Sequence, residues 1–99
     1  MILDKFSKQP FEVKDYDIDY SEWLSGMSDT LTTVTATVAC ITDPTNTALV
    51  INSTAVATYT AKFWIAGGTD GKKYKLTARA TTAGGRVDES ELIFSVKEV

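Results

Sequence analysis

Apolar and polar residues alternate along most of this chain, with the two-residue period of a β-strand. Within residues 30–41, apolar side chains hold the even positions from Val34 to Cys40, and threonine holds most odd positions between them. The same period runs through residues 55–65, 73–81 and 92–96. Because β-branched threonine suits a half-exposed strand, these runs predict strands with one buried face and one solvated face.

The phase of the alternation predicts which side chains point inward. They are Val34, Ala36, Val38, Cys40, Ala55, Ala57, Tyr59, Ala61, Phe63, Ile65, Tyr74, Leu76, Ala78, Ala80, Leu92, Phe94 and Val96. Turns are predicted where turn-forming pairs interrupt the runs, at Asp43-Pro44, Asn52-Ser53, Gly67-Gly68 and Gly84-Gly85. A short helical turn is predicted at residues 21–25, capped by Ser21.

Several short strands at regular spacing predict an all-β fold, an antiparallel immunoglobulin-like (Greek-key) sandwich of about seven strands. Tyr74 sharpens this prediction, because it opens a strand two positions before Leu76. In immunoglobulin domains a tyrosine near the start of a late strand hydrogen-bonds upstream backbone, two residues before a cysteine. Leu76 takes the place of that cysteine. An ordinary half-buried tyrosine is the alternative, and the sequence leaves both open. The glycines expected to shape the surrounding turns are Gly67, Gly68, Gly71 and Gly85.

The start of the chain has a different character, mixing acidic and aromatic residues. Asp15, Asp17 and Asp19 alternate with apolar side chains, which predicts a strand with one strongly acidic face. A calcium loop is excluded, because its sixth and twelfth positions would be Tyr20 and Gly26 instead of glycine and glutamate. We expect residues 1–14 to form an N-terminal arm or edge segment, mobile or ordered only on assembly before about Gln9. Residues 15–99 then form the sandwich.

Composition limits the possible functions. The 99 residues suit one domain, and a net charge of −3 argues against general nucleic-acid binding, which requires a basic surface. The single cysteine excludes an internal disulfide, and the opening MILDKFSKQP has no apolar run long enough for a signal peptide or membrane span. We expect a protein that is made and used without secretion.

Candidate catalytic chemistry is weak. The chain has no histidine, so a histidine-based triad or a His-ligated zinc site cannot form within it. Cys40 is expected to be a small buried hydrophobe. Residues 67–73 lack the first glycine and the final serine or threonine of a phosphate-binding loop. Asp88, Glu89 and Glu91 fit a charged hairpin end better than a glycosidase pair. We therefore predict no enzyme activity, cofactor, metal or small-molecule substrate.

Surface features favour binding over catalysis. Lys73, Lys75 and Arg79 are predicted to line one strand's outer face, opposite in sign to the aspartate strand. Such stripes can steer partners into register, although both can also be merely solvated. Trp64 lies between two core residues, which requires either a bulge or an outward side chain under the N-terminal segment or a partner. The candidate interface residues are Asp15, Asp17, Asp19, Trp23, Trp64, Lys73, Lys75, Arg79 and Arg86.

Two stretches carry a family resemblance. DYDIDYSEWLSGMSDTL (residues 15–31) resembles a signature of small tailed-phage and prophage proteins, in which an acidic segment leads through Trp-Leu to Gly-Asp-Thr-Ile and a threonine-rich strand. FWIAGGTDGKKYKLTARATTAGGRVDES (residues 63–90) is similar to the family's later series of Trp-Leu/Ile, Gly-Gly-Thr, Gly, Tyr and Thr-Thr…Gly-Arg-x-Asp-Glu. Tyr20 stands where the family has tryptophan, and Met27-Ser28 lengthens the turn before Asp29.

The resemblance implies an immunoglobulin-like virion structural protein, of the kind described as fibre-tail adaptors or neck-associated components. It implies assembly in the bacterial cytoplasm, docking onto a portal, connector, tail or fibre, and homo-oligomerisation on that platform. Neither nucleic acid nor a membrane is an expected partner. The alternative is a carbohydrate- or receptor-binding decoration sandwich displayed on a particle or cell surface.

Overall fold

A computed structural model describes residues 2–98 of the chain. Strands dominate the fold, and one five-residue helix joins two of them. The elements are β1 (Ile2–Lys8), β2 (Lys14–Asp19), α1 (Ser21–Ser25), β3 (Leu31–Cys40), β4 (Leu49–Val56), β5 (Thr60–Gly67), β6 (Lys73–Thr82) and β7 (Val87–Val96). The prediction of an all-β fold with about seven strands is confirmed for the described residues.

The strands form two sheets, in the orders β1-β7-β6-β3 and β2-β5-β4. Strands β7-β6-β3 and β2-β5-β4 correspond to strands G-F-C and B-E-D of a constant-type immunoglobulin sandwich. The first strand differs, because β1 lies beside β7, whereas strand A of the constant type belongs to the sheet of strands B, E and D. The long β3–β6 and β6–β7 ladders are antiparallel, as are both ladders of the smaller sheet. The sandwich predicted from the sequence is therefore present.

One pair differs from the antiparallel prediction, because β1 runs parallel to β7. Parallel neighbours that follow each other in the chain need a long crossover. β1 and β7 are not consecutive strands but lie near opposite ends of the chain, so their parallel pairing needs no crossover of this kind. Residues 2–8 thus form an edge strand of the larger sheet. The division at residue 14 stays a prediction, and Met1 and Val99 lie outside the described residues.

A buried lysine holds the end of β1 to the smaller sheet. Lys8 is 2% exposed, and its ammonium donates hydrogen bonds to the carbonyls of Gln9 at 2.9 Å and Gly67 at 2.6 Å. Burial lowers the pKa of the Lys8 ammonium. The two carbonyls offset part of the cost of removing this charge from water.

The core lies between the sheets and follows the predicted phase closely in β6 and β7. Tyr74, Leu76, Leu92 and Phe94 are buried, while Val34 and its inward neighbours in β3 are half-buried. An aromatic cluster fills part of the side of the sandwich between β1 and β2, with the Tyr16 ring centroid 4.7 Å from that of Phe6 and 4.8 Å from that of Phe94. Cys40 is buried with its thiol free, as expected.

The single alternating run predicted over residues 55–65 is wrong. The chain reverses after Val56, where the Ala57 N–H donates to the Thr60 carbonyl at 2.8 Å. Ala57 and Tyr59 are exposed, whereas Phe63 and the other inward residues of β5 are buried. No glycine or proline marks this hairpin, and apolar residues keep their two-residue alternation through it, so the sequence pattern does not reveal the turn.

Two smaller predictions are also corrected. Asn52-Ser53 is not a turn: the β4–β5 register shifts there, which makes Asn52 a bulge within edge strand β4. The helix begins at Ser21 but is not capped by that side chain, since the N-cap is Tyr20 and makes no side-chain cap bond. The Asp19 carboxylate instead accepts a hydrogen bond from the Ser21 N–H at 2.8 Å.

Candidate docking surfaces

The Tyr74 hydroxyl makes the hydrogen bonds that the corner motif requires. It accepts the N–H of Thr69 at 2.9 Å and donates to Oδ1 of Asn46 at 2.7 Å. The Asn46 amide in turn donates to the Thr69 hydroxyl at 2.9 Å. Tyr74 itself is fully buried. The corner therefore joins the β3–β4 and β5–β6 connections at one end of the sandwich.

Turns at both ends of the sandwich depend on glycine. The predicted structural glycines Gly67, Gly68, Gly71 and Gly85 all have positive φ. Gly67 is the most constrained, because a Cβ there would collide with the carbonyl oxygen of Ala48. Its left-handed backbone and this close approach both exclude a larger side chain.

A buried carboxylate organises the opposite end of the sandwich. Asp29 Oδ1 accepts the N–H groups of Thr30 at 2.9 Å and Gly84 at 3.0 Å, and Oδ2 accepts Arg86 Nη1 at 2.9 Å. The Thr82 hydroxyl accepts the N–H of Arg86 at 3.0 Å, which tightens the β6–β7 turn. Asp29 thereby fixes that turn to the segment between α1 and β3.

The environment of Asp29 favours its charged form. Its pKa is lowered to about 2, most strongly by a hydrogen bond from the Thr82 side chain, against the opposing effect of burial. The N–H groups and the Arg86 guanidinium act in the same direction as Thr82. Sequence reasoning placed Arg86 in a candidate interface and left Asp29 unassigned. The available signal was that Asp29 lies in the Asp-Thr signature and Arg86 in the Gly-Arg signature.

The acidic stripe lies on the outer face of the smaller sheet, but it is partly neutralised. Lys62 on β5 lies 3.0 Å from Asp15 Oδ2 and 3.9 Å from Asp17 Oδ1. A hydrogen bond from Lys62 is the main cause that lowers the pKa of Asp15. Asp19, the third member, is bound to the helix start. The stripe is therefore a mixed-charge surface and not a purely negative one.

Trp64 points out from the same face. It pairs with Asp15 of β2 and Ser53 of β4 and remains 39% exposed. The bulge considered for its own strand lies in β4 instead. β1 does not cover Trp64, since it pairs with β7 in the other sheet. Val50, two ladder positions away on β4, is also exposed.

The basic stripe lies on the outer face of the larger sheet, on the opposite side of the sandwich. Arg79 Nε lies 2.7 Å from Glu89 Oε2, and Lys75 Nζ lies 3.2 Å from Glu91 Oε2. These side chains and threonines of β3 and β6 line a shallow depression of about 360 Å³. Each basic residue except Lys73 thus faces an acid on β7.

Trp23 belongs to a third surface, the open side of the sandwich between β1 and β2. Its ring centroid lies 6.1 Å from that of Tyr20, and both border a cavity of about 350 Å³. The structure does not gather the nine candidate residues into one site. They divide among two sheet faces, this side cavity and the Asp29–Arg86 pair.

No group of three or more acidic or cysteine side chains within residues 2–98 is arranged to hold a metal ion. In the same range, no helix is long and apolar enough to cross a membrane.

Fold and surfaces together define a small β-sandwich module with charged pairs on both faces and exposed aromatic side chains. The chain belongs to the family of podophage GP4 fiber-tail adaptor proteins gp77, whose profile matches residues 8–95. It is a structural protein of the phage particle, as the sequence resemblance implied. No curated protein matches the chain.

Proposed function

We propose that this protein is a non-enzymatic assembly part at the fibre–tail junction, where it joins a fibre to another tail protein. The observation that carries this proposal is the outward Trp64. A tryptophan on a solvated sheet face leaves apolar surface in contact with water, which is unfavourable in free energy. Large aromatic residues of this kind are typical anchors of protein interfaces. The family assignment supports a partner within the tail.

The contact surface is the outer face of the smaller sheet. Trp64 and Val50 supply an apolar centre, and the Asp15–Lys62 pair supplies a polar edge at 3.0 Å. Interfaces commonly combine an aromatic anchor with such a polar rim, in which charges contribute orientation more than affinity.

Assembly takes place in the bacterial cytoplasm, with several copies arranged on a portal, connector or tail platform. The mixed-charge outer faces of the two sheets offer both acidic and basic groups for contact between neighbouring copies in one direction. Such head-to-tail contacts close into a ring when the rotation between copies permits. A place at the head–tail neck would use the same surfaces.

Particle composition tests the proposal. Phage is grown with the unaltered gene, with a deletion, or with Trp64→Ala, and purified particles are examined by mass spectrometry and electron microscopy. We expect the unaltered protein in particles, fibreless tails after deletion, and loss of the Trp64→Ala protein from particles. Tyr59→Phe, an exposed aromatic change in the β4–β5 hairpin, is the control. Complete, fibre-bearing particles after deletion would refute the junction role.

The alternative of a carbohydrate-binding decoration domain rests on the same exposed tryptophan. A glycan array separates the two functions. Saturable glycan binding that Trp64→Ala abolishes, together with fibre-bearing particles after deletion, would favour the alternative.

A further inference from the structure

A groove runs along the open side of the sandwich, between edge strands β1 and β2. It consists of two adjoining cavities of about 350 and 230 Å³, which share Leu3, Ile18 and Asp19. Leu3 and Ile18 contribute apolar surface, and Tyr20 and Trp23 extend it toward the helix. This groove is separate from the Trp64 face, which belongs to the outside of the smaller sheet.

The charged residues that line the groove are all acidic. Carboxylates border it from β1, β2, α1 and β7; they are Asp4, Asp17, Asp19, Glu22 and Asp88. No lysine or arginine occurs among the described residues that line either cavity. On the two sheet faces, by contrast, most acidic groups lie close to a base, and Asp17, where the groove meets the outer face, lies 3.9 Å from Lys62 Nζ. The potential in the groove is therefore negative, and low-dielectric walls concentrate it.

A polar atom in this groove lacks a partner. Tyr20 is 5% exposed, and its hydroxyl is the buried side-chain polar atom within residues 2–98 that has no hydrogen-bond partner. Such a group costs free energy unless a ligand or water completes its bonding. Burial, and then the nearby Asp88 carboxylate, raises the pKa of Tyr20 to about 12, and the Ser90 side chain in the same cavity acts more weakly in the opposite direction. The hydroxyl therefore stays protonated at neutral pH.

We propose that the groove receives an arginine side chain from an extended segment of another tail protein. A guanidinium brings five N–H donors, which suits the Tyr20 oxygen and the Asp88 carboxylate, and its planar face can stack on Trp23. The aliphatic stem suits Leu3 and Ile18. Edge strand β1 lies along the groove and offers backbone groups for an added strand.

Nuclear magnetic resonance with N-acetyl-L-arginine amide tests the pocket directly. The two tryptophans supply the readout, since Trp23 borders the groove and Trp64 lies on another face. We expect a saturable shift of the Trp23 indole signal and none of Trp64. N-acetyl-L-citrulline amide, which has a similar shape without the charge, should not saturate. Equal shifts with citrulline, a shift of Trp64 alone, or no response to arginine would overturn the proposal.

Variants locate the contacts. Tyr20→Phe should keep the fold and weaken arginine binding about three- to tenfold, because one hydrogen bond is lost. Glu22→Gln, on the exposed rim, should weaken it in the same direction without touching the core. Tyr59→Phe and Glu98→Gln are the matched controls outside the groove and should bind as the unaltered protein does. Undiminished binding in both groove variants would contradict the assignment.

This inference rests on the proposed assembly role, and particles distinguish the two failures. Tyr20→Phe and Glu22→Lys proteins should be missing from particles that contain the unaltered protein. If both are incorporated normally while unaltered protein is required for fibres, the groove assignment fails and the junction role stands. If unaltered protein is absent from particles, the junction role itself fails.

Discussion

The Asp29 carboxylate accepts a hydrogen bond from the Arg86 guanidinium at 2.9 Å, between residues 57 positions apart in the chain. The contact joins the segment after α1 to the β6–β7 turn, and Gly84 donates its N–H to the same carboxylate. Both ends of the pair lie in the stretches that carry the family resemblance. In this structure the two signatures meet at one buried anion.

Asp29 should make folding stability depend on acid pH. Its pKa is lowered from 3.8 to about 2 in the folded state, so its contribution is fully present above about pH 5 and is lost as the pH falls toward 2. Asp29→Asn should lower the urea midpoint at pH 7 and reduce its fall between pH 4 and 2. Urea unfolding at several pH values measures this. An unchanged pH profile in the variant would show that another group controls acid unfolding.

Gly84 should resist substitution for a steric reason. A Cβ there would lie 2.8 Å from both Asp29 Oδ2 and Arg86 Nη1, and its φ is not positive. Gly84→Ala should destabilise the domain by about 1–3 kcal/mol through overpacking at this pair. Gly26→Ala is the control, since the nearest heavy atom would be 3.9 Å away. Equal thermal midpoints for the two variants would refute the steric explanation.

The Tyr74 hydroxyl should stabilise the corner measurably. Tyr74→Phe removes the acceptor of the Thr69 N–H and the donor to Asn46, and we expect a loss of about 1 kcal/mol in unfolding free energy. Tyr59→Phe, on an exposed tyrosine, should have no effect within error. Chemical denaturation measures both. A neutral result at Tyr74 would mean that water replaces the lost bonds without cost.

Charge exchange tests the basic stripe separately from the fold. A triple variant with glutamate at Lys73, Lys75 and Arg79 should fold but fail to enter particles if the stripe is a docking contact. The change also places like charges beside Glu89 and Glu91. Arg79→Glu with Glu89→Arg restores the cross-strand pair with reversed polarity, and exposed pairs of this kind affect stability little. Normal incorporation of the triple variant would remove the stripe as a contact.

The sequence alone determined the fold class and most of the core. Period-two alternation identified β3, β6 and β7 with their inward faces, because burial on one face imposes that pattern directly on the residues. The positive-φ glycines were also predictable, since few other residues adopt that backbone. The β4–β5 hairpin was missed, because its turn carries no glycine or proline and small apolar residues cross it in phase.

Only the tertiary structure decided which charges meet. Lys62 partly neutralises the aspartate stripe because β5 lies beside β2, and two glutamates face the basic stripe because β7 lies beside β6. The order of neighbouring strands follows from the sheet topology and not from any local sequence pattern. The same holds for the Asp29–Arg86 pair and for the groove between β1 and β2. Their residues are distant in the chain, and packing two sheets face to face is what brings them together.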